Sequence, residues 1–151
     1  MQMSGEELIA ADRATVWAAL NDPDVLEACI PGCKSLEKRS ETELAATVSL
    51  GIGPVRANFD GEVHLKDIRP PESYRLEGEG KGGVAGFASG GADVRLEEVP
   101  EGTRLTYEVD AKVGGKIAQV GARLIDSTAK KLARKFFTDF KERVEGRGEP
   151  A

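Results

Sequence analysis

The chain has little of what most catalytic and metal-binding classes need. Aromatic residues make up 5% of its 151 residues, with one histidine and two cysteines. With one histidine, His64, no Ser-His-Asp or Cys-His constellation can be placed convincingly near a pocket. Cys29 and Cys33 form a Cys-x3-Cys pair without further cysteine or clustered histidine, too few ligands for a tetrahedral zinc site. In reducing surroundings they read as small buried residues. No apolar run approaches the roughly 20 residues that cross a bilayer. Residues 1–7 are acidic and lack the basic-then-apolar order of a secretory signal, so a cytoplasmic protein is expected. A net charge of −5 argues against a general nucleic-acid binder.

What is present suits a globular protein. Leu, Ile, Val and Phe account for 35 residues, about 23%, above the roughly 20% below which chains tend to stay disordered. The length is one domain's worth, expected over 1–145, with 146–151 as a frayed tail. Charge is unevenly spread. Residues 112–145 carry 9 basic and 4 acidic side chains, a net +5 that leaves −10 for the rest. Such a segment is either a solvated helix face or a weak contact surface for an acidic partner or an anionic membrane. Alanine and glycine number 18 each, so large side chains for a core are scarce.

The hydrophobic period gives the element order. Residues 6–10 read as a first strand. Asp12 offers an N-cap for a short helix carrying Val16, Trp17 and Leu20. Asn21-Asp22-Pro23 breaks it and starts a second helix with Val25, Leu26 and Ile30 on its apolar side. From 34 to 113 the period is two, with turns at Ser40-Glu41, Gly51-Ile52-Gly53-Pro54, Pro70-Pro71, Gly82-Gly83 and Pro100-Glu101-Gly102. Six strands follow, at 34–40, 43–51, 54–68, 72–80, 86–99 and 102–112, joined by short turns as an antiparallel meander. A single long helix is expected over 114–145. Its stripe is Ile117, Val120, Gly121, Leu124, Thr128, Leu132, Phe136, Phe140 and Val144. The fold class is α+β: a seven-stranded bent antiparallel sheet around a long C-terminal helix, with two short helices after the first strand.

Alternation assigns the buried face. In 54–68, Val55, Ala57, Phe59, Gly61, Val63 and Leu65 share one face, and Arg56, Asn58, Asp60, Glu62, His64 and Lys66 the other. Small residues recur at inward positions: 46, 57, 61, 78, 80, 88, 90, 92 and 111. Protein interiors pack to crystal-like density. A small-lined face under a helix therefore either draws the two layers close and marks bends, or leaves a ligand-sized space. Candidate lining residues are Ile117, Val120, Gly121, Leu124 and Thr128 from the helix, and Ala57, Phe59, Phe87 and Ala88 from the sheet and its edge. The Thr128 hydroxyl is placed to bond a polar atom of a guest.

Chemistry is sparse along this face. His64 alternates outward, and no inward paired carboxylates serve acid–base catalysis. The run Gly78-x-Gly80-x-Gly82-Gly83 lies between strands and leads into no helix, so it is neither a dinucleotide fingerprint nor a phosphate loop. It reads as a turn, or as a gate if a cavity exists. Phe136, Phe137 and Phe140 read as core.

Several segments together resemble the carbon monoxide dehydrogenase G-subunit family, within the START-like, helix-grip superfamily that includes polyketide cyclases. They are Val16-Trp17-Ala18-Ala19-Leu20-Asn21-Asp22-Pro23, Cys29-Ile30-Pro31-Gly32-Cys33, Gly51-Ile52-Gly53-Pro54, Gly82-Gly83-Val84-Ala85-Gly86-Phe87-Ala88, Thr103-Arg104-Leu105-Thr106-Tyr107 and Val113-Gly114-Gly115-Lys116-Ile117-Ala118-Gln119-Val120-Gly121. The resemblance implies a helix-grip fold with a hydrophobic cavity. It also implies a non-catalytic accessory protein of a molybdenum hydroxylase such as carbon monoxide dehydrogenase, recruiting that enzyme to the membrane or carrying a lipophilic quinone. No resident cofactor or metal is expected, only a bound quinone or lipid-like ligand. Some family members carry a C-terminal tethering extension. This sequence has none, which predicts a transient contact at the inner face of the membrane through the basic helix. The competing expectations are a surface-acting assembly factor and a polyketide-cyclase-like enzyme.

Overall fold

The structure is a computed structural model and describes residues 1–147. Seven strands form one antiparallel sheet in the order β1-β7-β6-β5-β4-β3-β2. They are β1 (Gln2–Ile9), β2 (Cys33–Ser40), β3 (Glu43–Ile52), β4 (Val55–Arg69), β5 (Ser73–Lys81), β6 (Phe87–Val99) and β7 (Gly102–Gly114). Helices α1 (Arg13–Leu20) and α2 (Pro23–Cys29) follow β1, and α3 (Ala122–Arg147) closes the chain. This is the helix-grip arrangement: a bent meander around one long helix.

Local chemistry sets the helix starts. The Asp12 carboxylate accepts the Thr15 N–H at 2.7 Å and caps α1; hydrogen bonding from the Thr15 side chain, and then from this N–H, holds its pKa below the ordinary carboxylate value. Asp22 caps α2 by accepting the Asp24 N–H at 3.0 Å, and Pro23 occupies the first turn. At the free edge of the sheet, the Glu27 carboxylate accepts the Leu36 N–H at 2.9 Å. That blunts β2 as a template for another strand.

Two expectations from sequence need correction. First, β1 begins at Gln2, not residue 6, pairing with β7 from Gln2↔Asp110 to Ile9↔Thr103. An edge strand draws its stability from backbone pairing, so polar residues there hide it. Second, α3 does not begin at 114. Strand β7 runs to Gly114, a 3₁₀ segment spans Gly115–Val120, and Gly121 at φ 98° separates that segment from α3. A positive φ cannot continue a right-handed helix. At its other end α3 runs through Arg147, two residues beyond the expected 145. The rest of the expected tail, 148–151, lies outside the described residues.

The core is divided. The larger cluster sits at one end, where Phe137, Phe140 and Val144 of α3 meet Ile9, Val16, Val25, Leu96 and Leu105. Phe140, Val144, Ile9, Val16 and Val25 are fully buried. Trp17 stands edge-on to Tyr74, and Tyr107 stacks on Phe137, both at 5.3 Å between ring centres. A smaller cluster of Phe59, Ala85 and Ile117 sits apart from it.

The larger cluster anchors the helix. Phe140→Ala is expected to destabilise the fold by about 3–5 kcal/mol, as truncation of a fully buried aromatic does. Urea unfolding monitored by circular dichroism measures it.

Candidate functional site

The sheet register brings the inward small residues into adjacent rows. Ala46 pairs with Gly61, Gly61 with Gly80, and Gly80 with Ala88, giving one row across β3, β4, β5 and β6. Beside it, Gly78 pairs with Gly90 and Gly90 with Ala111, giving a second row across β5, β6 and β7. The two rows make a patch of seven alanines and glycines in the middle of the sheet. None of the seven is buried; all remain partly exposed. The burial alternation of β4, with Ala57, Phe59, Gly61, Val63 and Leu65 shielded and their neighbours exposed, confirms which face this is.

The opening turns of α3 are partly exposed as well, at Leu124, Thr128 and Leu132; Phe136 already stacks on Phe140 in the larger cluster, and the buried residues of α3 begin at Phe137. The helix is pinned at its far end by the larger cluster. At its start, Leu124 rests on the β3–β4 turn: a Cβ on Gly53 would lie 2.8 Å from Leu124 Cδ2. Neither the patch nor the opening turns of α3 joins a buried cluster, so the face between them, the candidate channel, has small residues on the sheet side and mainly apolar ones on the helix side.

One end of the channel is stopped by the smaller cluster. Phe59, Ala85 and Ile117 are 8%, 3% and 2% exposed, with Leu50, Val55, Ala57 and Val113 packed around them. Ala85 comes from a 3₁₀ turn, Gly83–Ala85, between β5 and β6, and Ile117 from the 3₁₀ segment after β7. The two segments touch through glycine: a Cβ on Gly115 (φ 77°) would lie 2.6 Å from Gly86 Cα. A Cβ on Gly82 would lie 2.5 Å from Phe59 Cε1, so the ring needs glycine there to seat.

The residues expected from sequence fall in several places. Ala88 lies in the patch, Phe59 and Ile117 form the stopper with Ala57 against them, and Leu124 and Thr128 face from α3. Ile117, Val120 and Gly121 precede α3 and so do not line the channel as helix residues; Val120 is partly exposed and Gly121 exposed. Phe87 lies one position before Ala88, hence on the opposite face, with its ring over Gly114 and 52% exposed. Sequence reasoning put Gly61, Gly78, Gly80 and Gly90 inward but not in the site. Their signal was the cross-strand register, which joins them only when strand pairing is known.

The channel's chemistry is apolar. Among the described residues the buried titratable side chains are Tyr74 and Cys29, both in the packed end; burial pushes the Tyr74 pKa upward, away from service as a base. Burial also raises the Cys29 thiol. His64 faces outward, 3.4 Å from Glu43. No group of His, Cys, Asp or Glu suited to a metal ion occurs among the described residues. Two open depressions of about 480 and 530 Å³ lie on the outer face of the sheet, among Glu37, Arg39 and Asp60 and among Arg75, Asp93 and Arg95. Charged walls of this kind suit water rather than an apolar guest.

Comparison with known proteins places the chain. The family model of CoxG, the G subunit of carbon monoxide dehydrogenase, matches residues 5–145. A crystal structure of a conserved protein from Geobacillus kaustophilus is 34% identical, with 97% of this chain and 96% of that one aligned at a TM-score of 0.90. A structure from Thermus thermophilus is 16% identical over 99% and 100% of the two chains, TM-score 0.73. The Zhui aromatase/cyclase from a Streptomyces species is 11% identical over 99% and 96%, TM-score 0.68, a likeness of fold alone. No curated protein matches the chain.

The glycines of the patch separate by their surroundings. A Cβ at Gly61 meets the Glu79 carbonyl oxygen at an ordinary 3.5 Å, whereas one at Gly90 collides with the Asp110 backbone. Gly61→Ala is therefore expected to raise stability by about 0.4–1 kcal/mol through the unfolded chain. Gly90→Ala is expected to lower it, by more than Gly61→Ala gains. Thermal unfolding of the two variants distinguishes glycine kept for space from glycine kept for backbone approach.

Proposed function

The chain belongs to the CoxG family, the G subunits of carbon monoxide dehydrogenase, and from that premise we propose that it is a non-catalytic accessory protein whose channel takes up a lipophilic guest, an isoprenoid quinone, for a molybdenum hydroxylase of the carbon monoxide dehydrogenase type. One observation carries this reading: seven alanines and glycines lie in two in-register rows, all partly exposed, and Leu124, Thr128 and Leu132 of α3 are partly exposed too. Unfilled apolar volume costs stability, about 24 cal/mol per Å³ in one protein series. A guest with apolar surface removes that cost.

A flat quinone ring and its isoprenoid chain match a slot with small-residue floor and aliphatic roof. Leu124, Thr128 and Leu132 would line it from α3, and Ala46, Gly61 and Ala88 from the sheet. The Thr128 hydroxyl would donate one hydrogen bond to a quinone oxygen. The smaller cluster of Phe59, Ala85 and Ile117 would close the slot after loading. A cyclase-like activity needs an acid or base facing the slot, and the family reading as an accessory subunit does not call for one.

The test is extraction of the purified protein with organic solvent and mass spectrometry of what is released, with affinity measured by titration of a short-chain quinone. Co-purified quinone is expected; affinity no better than that of an unrelated protein overturns the reading. Gly121→Leu would be a poor probe, because φ 98° strains any side chain there. The pair Gly61→Val and Gly80→Val is better, since a Cβ at either position makes only ordinary contacts. That double variant is expected to weaken quinone binding at least tenfold while the circular dichroism stays native. Thr128→Val is expected to weaken it about fivefold, the worth of one hydrogen bond of about 1 kcal/mol.

A further inference from the structure

The stoppered end of the channel has a surface unlike the rest of the molecule. In an antiparallel meander, the β3–β4 turn, the β5–β6 connection and the exit from β7 all come to one end of the sheet. The chain there is 50–57, 81–88 and 112–125. These segments hold no aspartate or glutamate, although acidic residues are about one in six of the chain as a whole. They hold five cations, Arg56, Lys81, Lys112, Lys116 and Arg123, all exposed. Among the described residues, none of the five takes part in an ion pair. Acidic groups border these segments: Asp60 stands opposite Lys81 in the register and accepts from the Thr47 hydroxyl at 2.9 Å, Asp110 is held by Arg75 at 3.3 Å, and Glu79 and Asp126 lie just outside the second and third segments.

Large apolar side chains are exposed at the same end. Val84, at the tip of the 3₁₀ turn, is 92% exposed, and Phe87, which follows it, is 52% exposed. Phe87 pairs across the sheet with Lys81 and Gly114, so a lysine flanks its ring directly. In a protein of net charge −5, three acid-free segments bearing cations outside any ion pair and a bare valine are suited to a surface that is both negative and apolar.

We propose that this end docks on an anionic lipid bilayer, with Val84 and Phe87 entering the headgroup boundary and the five cations facing lipid phosphates. The inference deepens the carrier reading and rests on it for its purpose, since it sets the stopper of the channel against the phase in which a lipophilic guest is dissolved. It also relocates the membrane contact expected on the α3 face. Lys130, Lys131 and Arg134 are exposed there, but the four large apolar side chains that stand exposed among the described residues, Leu8, Ile68, Val84 and Phe87, all lie outside α3.

The experiment is co-sedimentation of the intact protein with vesicles of phosphatidylcholine, with and without phosphatidylglycerol, at low and high salt. Binding to the anionic vesicles alone, weakened by salt, is expected. Each cation near such a surface contributes about a fivefold factor, so Lys81→Glu with Lys116→Glu is expected to reduce partition at least 25-fold. Val84→Asp is expected to reduce it about tenfold, and Lys131→Glu with Arg134→Glu to leave it nearly unchanged. Val84→Trp is expected to shift its emission to the blue on anionic vesicles, beyond any change in the parent protein. No binding at low salt overturns the proposal. So does loss of binding only when Lys131 and Arg134 are reversed, or sedimentation without the Val84→Trp shift, which would leave an acidic protein surface as the fitting partner. Quinone titration of Val84→Asp in solution keeps the readings apart: retained quinone affinity with lost vesicle binding supports docking, whereas vesicle binding by a parent protein that takes no quinone removes the carrier reading alone.

Discussion

A bent sheet and a long helix can close on each other only where both present bulk, and here the sheet withholds it. The two in-register rows, Ala46-Gly61-Gly80-Ala88 and Gly78-Gly90-Ala111, put methyl groups and hydrogens where leucines would otherwise meet α3. The helix is long enough to span the gap because its last turns are held rigidly by Phe137, Phe140 and Val144. Its opening turns stay partly exposed, as the patch does. The division of the core into two clusters follows from this one deficit of volume.

The same deficit separates two roles of glycine that look identical in a sequence. A Cβ on Gly90 would collide with the Asp110 backbone, and one on Gly78 would lie 3.0 Å from the Glu62 carbonyl oxygen, so these positions let strands bend closely past one another. Gly61 and Gly80 have ordinary room for a Cβ, and their smallness is spare volume. Both readings of the small inward residues, bend and cavity, thus hold at different positions.

Much of this architecture was legible before any coordinates. Strict alternation in 54–68 assigned the face of β4, and turn residues bounded six strands to within a residue or two. The Asp12 cap was read correctly because a carboxylate before a helical run has one clear partner, the Thr15 N–H. What failed was the segment after Gly114. Ile117, Val120 and Leu124 keep a helical spacing, but Gly121 at positive φ interrupts the helix, and periodicity carries no information on the sign of φ. Phe87 failed for a related reason. Judged against the glycine-rich turn before it, it looked like part of a channel mouth; judged against Ala88, it faces the other way.

The two ends of the channel differ in the cost of opening. Unpacking the α3 end would expose Phe140, Val144 and the many residues buried with them, a loss comparable to unfolding. Opening the other end exposes chiefly Phe59, Ile117 and Ala85, where the two large side chains are worth about 1.5–3 kcal/mol each. That smaller cluster is carried on two short 3₁₀ segments bounded by Gly83, Gly86, Gly115 and Gly121, each at positive φ, where the backbone has freedom that other residues lack. Partial unfolding concentrates where little apolar area is buried. The stoppered end is therefore the side on which the channel opens at least cost, and it is also the end bearing Val84 and the cations of the acid-free segments. Burial, backbone freedom and charge, three independent properties of the chain, converge on the end proposed as the entrance.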